Sequence, residues 1–126
     1  HHRYLHSFPT RRSSDLERLA ISEWSLVEFA SAAAIKVRTG QAAAKLAKRA
    51  TARVHEFARR HCAVAVPGRD EFRRAAELAG HPGSKLRAGD ALHIAVALSL
   101  KAPAILCLDE AMAESARLLG IDVVMV

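Results

Sequence analysis

Apolar positions recur along this chain with two periods, one of helices and one of short buried strands. Arg18-Leu19-Ala20-Ile21 is a short strand candidate, and Ser22 after it is a natural helix N-cap. Trp24 to Val37 then has helical spacing, with Trp24, Val27, Ser31, Ala34 and Ile35 near one face, and Thr39-Gly40 closes it. From Gln41 to about His61 a second helix is predicted. Its stripe is Ala43, Leu46, Ala47, Ala50, Val54, Phe57 and Ala58, with Lys45, Lys48, Arg49, Arg59 and Arg60 mainly off it.

The pattern then switches. Cys62 to Val66 is apolar and β-prone, and Pro67-Gly68 stops it. Asp70 to Ala79 predicts a third helix with Phe72, Ala75, Ala76 and Ala79 inward, followed by a Gly80–Ser84 turn. From Ala91 to Leu100 only His93 and Ser99 are not apolar, which marks a helix buried on most sides, with Gly89-Asp90 at its start. Ala102-Pro103 ends it. Ala104 to Leu108 reads as a buried parallel-type strand, Glu110 to Leu119 as a short helix closed by Gly120, and Ile121 to Val126 as a last strand. Strands alternating with helices predict an α/β domain with a mostly parallel sheet.

This alternation makes three acids interesting. A helix of about eleven residues rises roughly 16 Å, and a strand of about five returns roughly 17 Å. Asp90, before the buried helix, and Asp109, after the buried strand, should therefore meet at one edge of the sheet. Glu28 lies one to two turns into a helix that follows a strand, which places it near that same carboxyl edge, where open α/β sheets hold their sites. Each acid has a plainer role. Ser25 and Glu28 fit a capping-box spacing, and Asp90 and Asp109 both suit helix caps. Three carboxylates converging from distant segments repel one another unless a cation intervenes, and oxygen donors suit Mg²⁺ or Mn²⁺. Such an ion can activate water against a phosphodiester. His93, one turn after Asp90, reads first as a hydrogen-bonded core histidine.

Composition narrows the field. The 126 residues suit one domain, half apolar and a quarter charged, with no run of eighteen apolar residues and no signal-peptide pattern. A cytoplasmic protein without a membrane span is expected, with Cys62 and Cys107 as reduced core residues. The net charge is +6 and unevenly spread. Lys36, Arg38, Lys45, Lys48, Arg49, Arg53, Arg59 and Arg60 face a single acid, Glu56, over one stretch. Lys36, Arg38, Lys45, Lys48 and Arg49 are RNA-contact candidates, the plainer alternative being a solvated helix face. No Cys-x-x-Cys, Walker loop, dinucleotide loop or nucleophile elbow is present.

The first sixteen residues differ from the rest. HSFPTRRSSDL, His6 to Leu16, resembles the conceptual translation of a sequencing adapter. Residues 1–16 are therefore expected to be a disordered, non-native leader, with the domain occupying 17–126.

Three segments together resemble the PIN-domain ribonucleases, specifically VapC-type toxins of toxin–antitoxin pairs. They are ISEWSLVEFASA with AIKVRTGQ behind it, LRAGDALHIAVAL, and AILCLDEAMAESARLLGIDVV. The resemblance implies a three-layer α/β/α domain that cleaves RNA with Mg²⁺ or Mn²⁺. It gives metal-site and catalytic roles to Glu28, Asp90 and Asp109, and adds an antitoxin partner and homodimerisation. The family also opens with a strand carrying an Asp, which is not visible here; Asp15, inside the adapter-like segment, takes no such role. The first central strand is accordingly expected to be missing and this chain to be impaired. The alternatives are a non-catalytic remnant that binds antitoxin or RNA, and a phosphatase-like or receiver-like domain using Asp109 as phosphoacceptor.

Overall fold

The computed structural model describes residues 7–11 and 17–126, with side chains from Leu19 onward. In chain order the elements are β1 (Ser7–Arg11), β2 (Glu17–Ser22), α1 (Glu23–Arg38), α2 (Ala44–His61), β3 (Cys62–Ala65) and α3 (Arg69–Gly80). They continue with α4 (Ala88–Ser99), β4 (Ala104–Cys107), α5 (Glu110–Leu118) and β5 (Asp122–Met125). The strands form one sheet in the order β3-β2-β1-β4-β5. β2 and β3 are parallel, as are β4 and β5, and β1 is antiparallel to both of its neighbours. Four strands thus point one way, and their carboxyl ends share an edge. The expected α/β class with a mostly parallel sheet is what the chain adopts.

The centre of the sheet differs from expectation. The place foreseen as missing its strand is filled by Ser7–Arg11, part of the adapter-like leader, paired residue by residue from Ser7 opposite Ile21 to Arg11 opposite Glu17. Its other side meets β4 at one register pair, Ser7 opposite Leu106. Two half-sheets with bare inner edges leave backbone groups without partners, and an extended segment that pairs with them removes that cost. The remainder of the leader, Asp15 included, lies outside the described residues.

Strand alternation divides the core between two faces. Leu19 and Ile21 pack with Leu26 of α1, Val54 and Ala58 of α2, and Cys62. Ala20, between them, faces the other way, into the larger cluster of Ile94, Val96, Ile105, Cys107, Met112, Ala113 and Ala116 from α4, β4 and α5. Helices therefore cover both faces, giving three layers. α3 packs on α4 through small residues, Ala75 against Ala91 and Ala95, which let the two helices approach closely.

Most predicted elements stand within three residues of their expected ends. Three helix faces do not. In α2 Leu46 and Phe57 of the expected stripe are exposed while Ala58 is buried. In α1 the buried side is Ser25 and Leu26, while Val27 is 56% exposed and Ser31, Ala34 and Ile35 also face outward. In α3 Ala75 is buried but Phe72 is 54% exposed. Apolar residues lie all round α1, so its composition left the choice of face to the packing of α2 and the sheet. Among the described residues no helix is long and apolar enough to cross a membrane.

Candidate functional site

Ser22 ends β2 and starts α1, and its buried hydroxyl accepts the Trp24 backbone N–H at 3.0 Å. This cap fixes where α1 leaves the carboxyl edge of the sheet. Glu28 follows a turn and a half later. It does not form a capping box with Ser25, because the cap is Ser22 and the Ser25 side chain is buried. The Glu28 side chain is only 20% exposed and reaches across to α4, where Oε1 lies 2.5 Å from His93 Nε2. An ionised carboxylate can only accept, so the imidazole N–H donates. His93 is fully buried, as a hydrogen-bonded core histidine should be.

α4 begins at Ala88, with Arg87 as its N-cap residue and no side-chain cap bond. Asp90 is thus the third helical residue and not the cap. It is buried in the first turn, where the helix dipole and free N–H groups favour an anion. Gly89 brings α1 and α4 together. A Cβ there would stand 2.7 Å from Glu28 Oε2 and 3.1 Å from Trp24 Nε1. Glu28 and Trp24, one turn apart on α1, therefore crowd the chain segment that carries Asp90.

Asp109 follows β4 and caps α5, with Oδ1 accepting the Ala111 N–H at 3.0 Å. Buried Cys107, two residues earlier, donates from Sγ to the Asp109 carbonyl at 3.2 Å. Burial pushes the Cys107 thiol above its ordinary value; the bond to Asp109 opposes this, and the Asp109, Asp90 and Glu110 carboxylates add to it. Two of the expected acids, one from α4 and one from the end of β4, are thereby felt by the same sulfur. Glu28 lies on the helix that leaves the end of β2, Asp109 follows the end of β4, and Asp90 lies in the first turn of α4 beside Gly89, against which Glu28 packs.

Carboxylate oxygens suit a hard cation. The described residues nevertheless do not complete a site for one: among them no three His, Cys, Asp or Glu stand close enough to hold an ion. Glu28 is engaged by His93 and Asp109 by its helix, so the three acids share a neighbourhood without forming a ligand set.

The five basic candidates are exposed. Lys36 and Arg38 end α1, and Lys45, Lys48 and Arg49 open α2. Lys36 Nζ donates to Gln41 Oε1 at 3.3 Å. Further along α2, Arg59 and Arg60 both hold Glu56, and the Arg59 hydrogen bond keeps that carboxyl below its ordinary range. The acid of this stretch is spent at one end of the helix, away from Lys45, Lys48 and Arg49.

Gly89 and Trp24 were not foreseen as part of the site. Their spacing held the signal: Trp24 and Glu28 are i and i+4 on one helix, Gly89 and His93 i and i+4 on another.

A family profile described as PIN domain matches residues 6–118. No curated protein and no solved structure shows a significant match to the chain.

Proposed function

The chain belongs to the PIN-domain family, a family of nucleases, and from that premise we propose that it is an endoribonuclease of the toxin type, dependent on Mg²⁺ or Mn²⁺. What supports the reading is that Glu28 and Asp109 follow the carboxyl ends of β2 and β4, and that Asp90 is buried in the first turn of α4 next to Gly89, which Glu28 crowds. Acids at that edge would draw a divalent ion, and the exposed Lys36, Arg38, Lys45, Lys48 and Arg49 would draw the RNA backbone. The proposal includes a cognate antitoxin that covers this edge, a homodimer, and a cytoplasmic setting. Among the described residues the acids fall short of a ligand set.

The adapter-like segment that fills the central strand place favours a second reading, a non-catalytic remnant that binds antitoxin or RNA. Cleavage of a labelled RNA separates the two. The nuclease reading expects fragments with Mg²⁺ or Mn²⁺, none with EDTA, and at least a tenfold loss in Asp90→Asn. Binding of RNA without cleavage under every ion condition supports the remnant. Undiminished ion-dependent cleavage by Asp90→Asn removes Asp90 from the site.

A further inference from the structure

The Glu28 carboxylate leaves its own helix to meet a buried partner. Its Oε1 is bonded to His93 Nε2, and its Oε2 lies against the Cα of Gly89, where any side chain would intrude. A glutamate on a helix flank ordinarily samples several rotamers. Here one oxygen is tied and the other is walled, so a single orientation is selected. His93 is itself fixed, with no exposed surface, inside a helix whose residues Ala91 to Ala97 are all buried. The clamp therefore has a rigid half, Gly89 and His93 on one face of α4, and a half that it orients, Glu28.

We propose that His93 and Gly89 are positioning residues whose role is to pin the Glu28 carboxylate beside Asp90. The functional meaning of the clamp rests on the nuclease reading, but its existence does not.

Gly89 makes the proposal testable apart from stability. Its φ is not positive, so alanine suits the backbone there. Gly89→Ala therefore adds no backbone strain, and its readouts are taken on the folded variant whatever crowding against Glu28 and Trp24 does to Tm. The added methyl cannot coexist with Glu28 Oε2 at 2.7 Å, and Glu28 cannot swing aside without stretching its bond to His93. The first readout is the imidazole proton spectrum of the full chain. A downfield, slowly exchanging His93 N–H is expected in the wild type, lost in Glu28→Gln and shifted in Gly89→Ala.

The second readout uses Trp24, the only tryptophan of the chain, which flanks Gly89. Quenching of its fluorescence by added Mn²⁺ reports ion affinity. His93→Gln, which keeps a donor near the Nε2 position, should hold affinity within threefold. His93→Leu and Gly89→Ala should each lose tenfold or more. Should His93→Leu fail to fold, the Gly89→Ala and His93→Gln pair carries the same contrast.

A His93 proton signal unchanged in Glu28→Gln overturns the proposal, as does wild-type ion affinity in Gly89→Ala. If Mn²⁺ quenches no variant while the proton signal responds as expected, the clamp stands and the ion-dependent reading of the site falls.

Discussion

Burying a carboxylate costs free energy unless a hydrogen bond or an opposite charge compensates it, and each acid of this edge meets that demand differently. Glu28 uses a buried imidazole, Asp90 sits in the first turn of a helix, and Asp109 accepts from the start of α5. Cys107 lies two residues before Asp109 and donates to its carbonyl. Its thiol is held protonated by burial, so the folded chain keeps a proton that the unfolded chain releases near 9.0. The sign follows: below that value both states are protonated and the thiol leaves stability independent of pH, while above it stability falls as pH rises. Urea midpoints measured from neutral pH to one unit above 9.0 should fall more steeply for the wild type than for Cys107→Ala. Equal slopes would place the thiol in a wetter setting than its packing indicates. At this scale the partners of the three acids were not legible from spacing. Nothing in a linear sequence says that the face of α1 carrying Glu28 turns toward the face of α4 carrying His93.

Elements were legible where local chemistry is strong. Ser22 caps α1 as its position after a strand predicts, and Gly40 and Gly120 take the left-handed conformation that ends α1 and α5. The helix faces were harder. Val27 and Ile35 point outward because α1 is apolar on too many sides for its sequence to choose, and Ala75 rather than Phe72 meets α4 because close helix approach rewards small residues. Ser22 links this scale to the site, since its cap sets the departure of the helix that carries Glu28. Ser22→Ala should cost about 0.5–2 kcal/mol of unfolding free energy, toward the upper end because the hydroxyl is buried. Chemical denaturation checks this, and a loss below that range would mean that α1 starts without the cap.

Over the whole molecule, the β2–β3 and β4–β5 pairs are each parallel, and β1 bridges them running the opposite way. The bridge is uneven: β1 pairs along its full length with β2 but at one position with β4, and Pro9 in its middle has no N–H to donate. A strand with these properties is not recognisable as central from sequence, since proline argues against that place and the segment has no apolar alternation. The consequence for the site is direct. Glu28 hangs from the β2 side through α1 and Asp109 from the β4 side, so the acidic edge spans both half-sheets and depends on how β1 joins them. Alignment of the two halves is a condition for the acids to share an ion, and it also brings Glu28 of α1 to His93 of α4.

The most direct test of that shared edge is paramagnetic broadening of the backbone amide signals of the full chain by substoichiometric Mn²⁺. Signals of Glu28, Gly89, Asp90 and Asp109 and their neighbours should broaden first and together, and Asp90→Asn should abolish the effect at all of them. Broadening scattered over the surface, or confined to one acid and unaffected by Asp90→Asn, would show that the carboxylates do not act on a common ion.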